Sequence, residues 1–66
     1  MHIFLNGEPQ NVPDNITAAQ LLETLQLTGK RLAVEVNREI VPRSQFDEFT
    51  LKADDRIEIV HAIGGG

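Results

Sequence analysis

The sequence predicts an α+β domain: a mixed sheet of about four to five strands with one helix packed across one face. Three observations support this. Several short β-prone segments alternate apolar and polar residues, and one segment has helical spacing instead. That segment lies between strands, so a right-handed crossover must carry it over the sheet. At 66 residues the chain has room for one domain with a small core.

The first predicted element is a β-hairpin. Residues 1–5 are apolar and β-prone, and Asn6-Gly7 follows them, a dipeptide favoured in two-residue turns because both positions need a positive φ. The return strand, residues 8–12, contains Pro9, which has no N–H to donate to a ladder. We therefore expect this strand at an edge of the sheet.

A helix is predicted over about residues 17–25. Thr17, followed three residues later by Gln20, fits a capping box, and Ile16 and Leu21 take the two positions of a hydrophobic staple. The face turned to the sheet is expected to hold Ala18, Leu21, Leu22 and Leu25. Because the helix is only about three turns long, packing on the sheet must supply most of its stability.

The second half of the chain supplies the remaining strands. Gly29 suits a left-handed residue at the helix terminus. Strands are expected at residues 31–37 and 40–41, the second of them stopped by Pro42. An irregular segment with two core phenylalanines, Phe46 and Phe49, leads to a polar turn at residues 52–55 and a last strand at residues 56–63.

The compact arrangement of these elements makes the first and last strands parallel neighbours at the centre of the sheet. This is the β-grasp fold, as in ubiquitin. Residues 1–63 then form the β-grasp domain, and residues 64–66 form a flexible tail. The predicted core contains Leu21, Leu22, Leu25, Val34, Val36, Ile57 and Ile59.

Composition excludes several classes of function. A net charge of -4, with no Trp or Tyr, argues against a nucleic-acid partner. No apolar run approaches the length of a membrane span, and the first residues lack the features of a signal peptide. The chain has no cysteine, which indicates a cytoplasmic location and removes thiol chemistry. With only His2 and His61, far apart in sequence, we predict no metal site.

The last three residues, Gly64, Gly65 and Gly66, are the candidate functional segment. An arm without side chains can enter a narrow channel of a partner, which would make the Gly66 carboxylate the reactive group; the alternative is an inert end. An ionised carboxylate is a poor electrophile and needs activation. The sequence contains no phosphate-binding loop or dinucleotide fingerprint, so ATP chemistry is expected from a partner. The chain is then a protein cosubstrate rather than an enzyme.

A set of short segments, spread over essentially the whole chain, points to a known family. The segments are Leu5-Asn6-Gly7-Glu8, Val12-Pro13, Leu21-Leu22, Ala33-Val34-Glu35-Val36-Asn37, Glu39-Ile40-Val41-Pro42-Arg43-Ser44, Ile57-Glu58-Ile59-Val60 and Gly64-Gly65-Gly66. In these segments the sequence resembles the ThiS family, the sulfur-carrier proteins of thiamine biosynthesis. One difference is Ala53-Asp54-Asp55, where the family more often has Asp-Gly-Asp; aspartate tolerates the left-handed conformation, so we expect the same fold.

The resemblance implies a specific chemistry and a set of partners. A ThiF-type adenylating enzyme, using its own ATP and Mg²⁺, would form an acyl-adenylate at Gly66. Sulfur from a cysteine desulfurase route would then give a thiocarboxylate, which the thiazole synthase ThiG would consume. The absence of cysteine agrees with sulfur carried on the terminal carbonyl.

Two other functions stay open at this point: the small subunit of molybdopterin synthase, and a ubiquitin-like modifier or binding module. Candidate partner contacts are Val60, Ala62 and Ile63 in the last strand. His61, beside the tail, is expected to be packed or solvated rather than a general base. The acidic residues either steer docking to a basic partner or form a solvated surface.

Overall fold

The structure is a computed structural model and describes residues 1–61. These residues form a five-stranded mixed sheet with strand order β2-β1-β5-β3-β4, in which β1 and β5 run parallel and the other pairs antiparallel. The predicted β-grasp architecture is confirmed. The elements are β1 His2–Leu5, β2 Glu8–Asn11, helix α1 Ala18–Thr24, β3 Leu32–Val36, β4 Glu39–Val41, a 3₁₀ helix Arg43–Gln45 and β5 Arg56–His61.

Two hairpin turns of the same kind connect β1 to β2 and β3 to β4. Asn6 and Gly7 have φ values of 49° and 84°, and Asn37 and Arg38 have φ values of 52° and 70°. Each turn therefore has positive φ at both central positions, which matches the right-handed twist of the flanking strands. Strand β2, with Pro9, lies at the sheet edge as predicted, because a proline there interrupts no inner ladder.

The helix begins with the predicted capping box. The Thr17 Oγ1 accepts a hydrogen bond from the Gln20 amide at 3.1 Å, and the Gln20 Oε1 accepts one from the Thr17 amide at 2.9 Å. Thr24, at the other end of the helix, donates its hydroxyl to the Gln20 carbonyl. The cap satisfies backbone donors that have no partner within a short helix.

The segment between β4 and β5 covers the start of the helix. The amides of Ala18 and Ala19 donate to the carbonyls of Phe49 and Phe46 at 2.9 and 3.0 Å. Phe46 is buried and Phe49 is half-buried, so both pack in or against the core as predicted. This irregular segment therefore acts as a second cap on the helix.

The helix ends near Leu25 as predicted, but the left-handed residue that follows it is not Gly29. Gln26, with φ 59°, is the left-handed residue just after the helix, and Gly29 lies in a later turn. The Gln26 amide donates to the Glu23 carbonyl, and the Leu27 amide donates to the Leu22 carbonyl at 2.8 Å. This pair of bonds is a Schellman motif. Leu27 packs against the core, and this burial offsets the strain of a non-glycine residue at Gln26.

The turn before β5 is tied by side chains. Asp54 takes the left-handed conformation, with φ 69°, and its amide donates to the His2 carbonyl at 2.7 Å. The Asp55 carboxylate accepts from the Lys52 amide at 2.8 Å and from the Asn37 Nδ2 at 3.1 Å. The expectation that aspartate replaces glycine in this turn without changing the fold is confirmed.

The core lies between the helix and one face of the sheet. All predicted core residues are buried except Leu25, which is half-buried and packs against the others. Ile3, Val34 and Ile57, on three adjacent strands, are the most completely buried of the larger side chains. The full set of buried apolar residues is Ile3, Ile16, Ala18, Leu21, Leu22, Val34, Val36, Val41, Phe46, Leu51, Ile57 and Ile59.

Candidate functional site

Strand β5 is the element that leads into the candidate functional segment, and it occupies the centre of the sheet. On one side, its ladder with β3 runs from Ile57, opposite Val36, to His61, opposite Leu32. On the other side, its pairing with β1 ends at Ile57, opposite Leu5. After Ile57, β5 is therefore paired with a neighbouring strand on the β3 side only.

The predicted reactive and tail residues, Gly64, Gly65 and Gly66, lie outside the described residues, as do Ala62 and Ile63. Their roles stay predictions, as does the flexibility of the tail and the extension of the last strand to residue 63. The structure describes the base from which this segment starts. That base is the β5 residue pair Val60 and His61, paired with Ala33 and Leu32.

Val60 lies on the sheet face that does not carry the helix, named here the outer face. Ile57 and Ile59 are buried under the helix, so the alternating residues Arg56, Glu58 and Val60 point the other way. Val60 is 54% exposed. Directly paired residues share a face, so pairing extends the outer face to neighbouring strands. Its residues are His2, Phe4, Pro9, Asn11, Ala33, Glu35, Ile40, Arg56, Glu58 and Val60.

Ile40 is a second exposed apolar residue on the outer face, and the sequence analysis missed it. It is 70% exposed, while the adjacent Val41 is buried in the core. Because neighbouring strand residues face opposite sides, only one of two consecutive apolar residues can face the helix. The Ile40-Val41 pair thus contained the signal, but the pairing of Val34 with Val41 was needed to decide which residue faces out.

The acidic and basic side chains of the outer face have different neighbours. Glu35 and Glu58 stand directly opposite each other on β3 and β5, an arrangement of like charges that destabilises a sheet. Arg56 instead lies over the Phe4 ring, with its guanidinium carbon 5.6 Å from the ring centroid. The Phe4 and His2 rings pack edge-on, with 5.4 Å between their centroids. The acidic pair adjoins both exposed apolar residues, since Glu35 is opposite Ile40 and Glu58 is two residues before Val60 on β5.

The two histidines occupy opposite ends of the sheet. His61 is exposed at the end of β5, and His2 is exposed at the start of β1. Within residues 1–61, no three His, Asp or Glu side chains come together as they would around a metal ion. No helix in this described part is long and apolar enough to cross a membrane.

Comparison with known proteins identifies the family. The model of the ThiS family matches residues 3–66. The chain belongs to the ThiS family. This match favours the first of the three functions left open by the sequence, and it runs through all three terminal glycines.

Similar proteins include free-standing carriers and a larger enzyme. The sulfur carrier protein ThiS of Bacillus subtilis is 43% identical over 53 residues, 80% of each chain. The crystal structure of the thiamine biosynthesis protein ThiS from Geobacter metallireducens is 32% identical over all of both chains, with a TM-score of 0.88. A thiazole synthase of Magnetococcus marinus is 44% identical over 66 residues, but this chain spans only 20% of that enzyme.

Proposed function

We propose that this chain is a sulfur carrier of thiamine biosynthesis, and that it carries sulfur as a thiocarboxylate on Gly66. The observation that supports this most directly is the ThiS family match, which includes Gly64, Gly65 and Gly66. The relatives named sulfur carrier protein ThiS in Bacillus subtilis and Escherichia coli support it further.

The proposed chemistry has two steps. The Gly66 carboxylate attacks the α-phosphate of ATP in a ThiF-type enzyme, and pyrophosphate leaves, which gives an acyl-adenylate. A sulfur nucleophile then attacks the acyl carbon and AMP leaves. With hydrosulfide the product is the thiocarboxylate directly. With a persulfide from a cysteine desulfurase route the product is an acyl disulfide, which a thiol reduces to the thiocarboxylate.

In this proposal the chain is a cosubstrate and not an enzyme. The adenylating partner binds ATP and Mg²⁺, and the chain contributes a carboxylate on a segment without side-chain bulk. The central position of β5 supports this division of roles between the chain and the enzyme. The side chains of Ile57 and Ile59 are buried on the inner face, so β5 is a rigid base for the segment that follows. Because adenylation consumes ATP, the proposal also implies a cytoplasmic location.

Thiazole synthase is the proposed consumer of the thiocarboxylate. The whole of this chain is similar to a fifth of the thiazole synthases of Magnetococcus marinus and Paramagnetospirillum magneticum, at 44% and 39% identity. A carrier-like segment inside an enzyme of this name supports a direct functional relation between a carrier and the synthase. The thiocarboxylate sulfur would attack an electrophilic carbon of the thiazole precursor and form a thioester. Hydrolysis of its acyl–sulfur bond would then leave the sulfur on the precursor and restore the Gly66 carboxylate.

We further propose that the outer face around Val60 contacts the partner, and that Ala62 and Ile63, which lie outside the described residues, also contact it. Val60, next to the small Ala33, forms an exposed apolar surface at the base of the terminal segment. The acidic pair Glu35 and Glu58 adjoins this surface, and a basic group of the partner would relieve the repulsion between them. These contacts would hold the domain while the glycines enter the active site.

The decisive experiment incubates the 66-residue chain with a ThiF-type enzyme, Mg-ATP and sulfide, and follows intact mass. We expect one oxygen of the chain to be replaced by sulfur. Deletion of Gly66 moves the carboxylate back by one residue and should abolish the change. Gly65→Val should block entry because its side chain collides with a narrow channel.

The matched control is Ala53→Val, which adds apolar bulk in the exposed turn at the opposite end of β5. This variant should be modified like the unsubstituted chain. If the unsubstituted chain is never modified, or the Gly66 deletion is modified equally well, the carrier proposal fails. Modification only by the adenylating enzyme of molybdopterin biosynthesis would favour that pathway instead.

A further inference from the structure

The side chain of Asn6 replaces a missing strand partner of β5. The last main-chain bond that β1 makes to β5 runs from the Asn6 amide to the Ile57 carbonyl, at 2.8 Å. The chain then turns away at Asn6-Gly7 into β2. The next β5 amide on this side, that of Ile59, donates at 2.9 Å to the Asn6 Oδ1. One side-chain oxygen thus extends the hydrogen bonding of β1 beyond the end of the strand.

We propose that Asn6 is a positioning residue for the terminal segment. Without this bond, the part of β5 after Ile57 would be held by its β3 ladder alone. With it, β5 is held on both sides at Ile59, directly before Val60 and His61. The β3 ladder on one side and the Asn6 side chain on the other then both orient the end of β5, from which the terminal segment starts.

Asparagine meets two requirements of this position. The backbone there has φ 49°, a conformation that asparagine, aspartate and glycine tolerate better than other residues. Glycine would make the turn but offers no acceptor to the Ile59 amide. Aspartate would make the turn and keep a carboxylate oxygen at the same place. Asn6→Gly therefore removes the hydrogen bond without adding backbone strain, and Asn6→Asp restores an acceptor.

Asn37 is the matched counterpart on the other flank of β5. It follows the end of β3, has φ 52°, and its Oδ1 accepts from the Arg56 amide at 3.0 Å. This bond lies at the first residue of β5, whereas the Asn6 bond lies near the last. Asn37→Gly is thus a control that removes the same kind of bond from the same strand at the opposite end of β5. It also removes the Asn37 Nδ2 bond to Asp55, so it disturbs the fold at least as much as Asn6→Gly does.

This inference rests on the proposed function, because positioning matters only if the terminal segment must reach a partner's active site. Small misplacements of a reacting group lower the rate strongly, even when they arise far from the chemistry. Asn6 lies in the turn beside β5. Its main effect should be on the fraction of enzyme-bound chains in which the Gly66 carboxylate is in position to react with ATP. We therefore expect a change in kcat of adenylation rather than in KM.

The test measures steady-state adenylation of each variant by a ThiF-type enzyme, after circular dichroism has shown that the variants are folded. We expect Asn6→Gly to lower kcat on the order of ten-fold, with KM within about two-fold of the unsubstituted value. Asn6→Asp should recover most of the loss. Asn37→Gly should leave both constants near those of the unsubstituted chain.

Amide hydrogen exchange provides a readout that needs no enzyme. Asn6→Gly should speed exchange of the Ile59 amide by about two- to ten-fold beyond the change common to the whole domain, the effect of losing one neutral hydrogen bond. Asn37→Gly should instead speed exchange of the Arg56 amide.

The outcomes separate this inference from the proposed function. If Asn6→Gly and Asn37→Gly are adenylated with the same kcat, or Asn6→Asp shows no recovery, the positioning role is wrong and the carrier function stands. If the unsubstituted chain is not adenylated, the carrier function fails and the inference fails with it.

Discussion

The two faces of β5 differ in the burial and in the charge of their side chains. On the inner face, Ile57 and Ile59 are 1% and 8% exposed and lie under the helix. On the outer face, Val60 is 54% exposed and Glu58 stands opposite another glutamate. Alternation along one strand thus separates a surface that holds the domain together from one that is free to meet a partner. Stability and recognition should therefore respond to different substitutions.

The largest expected effect is on the inner face. Ile57→Ala should lower the free energy of unfolding by about 2–5 kcal/mol, because it leaves a cavity among side chains that cannot fully collapse into it. Urea denaturation followed by circular dichroism measures the change. A small domain has little stability to spare, so this variant is also expected to be partly unfolded without denaturant. A loss below about 0.5 kcal/mol, typical of surface substitutions, would contradict the burial of Ile57.

The next effect tests the helix that covers the inner face. Thr17→Ala removes the Oγ1 acceptor of the capping box and should lower the free energy of unfolding by about 0.5–2 kcal/mol. The matched control is Thr24→Ala in the same helix, where the hydroxyl only donates to a carbonyl already in the helix. Urea denaturation of both variants gives the comparison. Equal losses at the two positions would mean that the cap contributes nothing of its own.

A smaller effect is expected where the outer face makes its own contacts. Arg56→Gln removes the cation over the Phe4 ring and should lower the free energy of unfolding by about 0.5–1 kcal/mol, as for an exposed cation–π pair. The control is Arg38→Gln, a charge change of the same kind in the exposed β3–β4 turn. Thermal or urea unfolding distinguishes them. An equal loss in both variants would show that net charge, and not the ring contact, is responsible.

The smallest effect on stability should accompany a measurable effect on recognition. Val60→Thr and Ile40→Thr keep a β-branched side chain and should change the free energy of unfolding by no more than about 0.5 kcal/mol. In the adenylation assay we expect both to raise KM, with Val60→Thr the stronger because it lies closer in the chain to Gly66. An unchanged KM in both variants would exclude this part of the outer face from the partner interface.

Local signals in the sequence were sufficient for most of the fold. Asn6-Gly7 specified a hairpin because few residues accept positive φ, and Thr17 with Gln20 specified a helix start because their side chains reach each other's amides. Alternation identified the inner face of β5, and with it the outward direction of Val60. The ThiS resemblance, which the family match confirms, also came from the sequence. The roles of Gly64, Gly65 and Gly66 remain predictions from it.

What the sequence did not show are contacts between residues that are far apart in the chain. Nothing local indicates that Asn6 accepts from the Ile59 amide, since the two are brought together only when β1 and β5 become parallel neighbours. The left-handed residue after the helix is Gln26 instead of Gly29, in a turn that places Leu27 against the core. Propensities and turn rules act within a few residues, whereas strand pairing and burial choose among the conformations that those rules leave open.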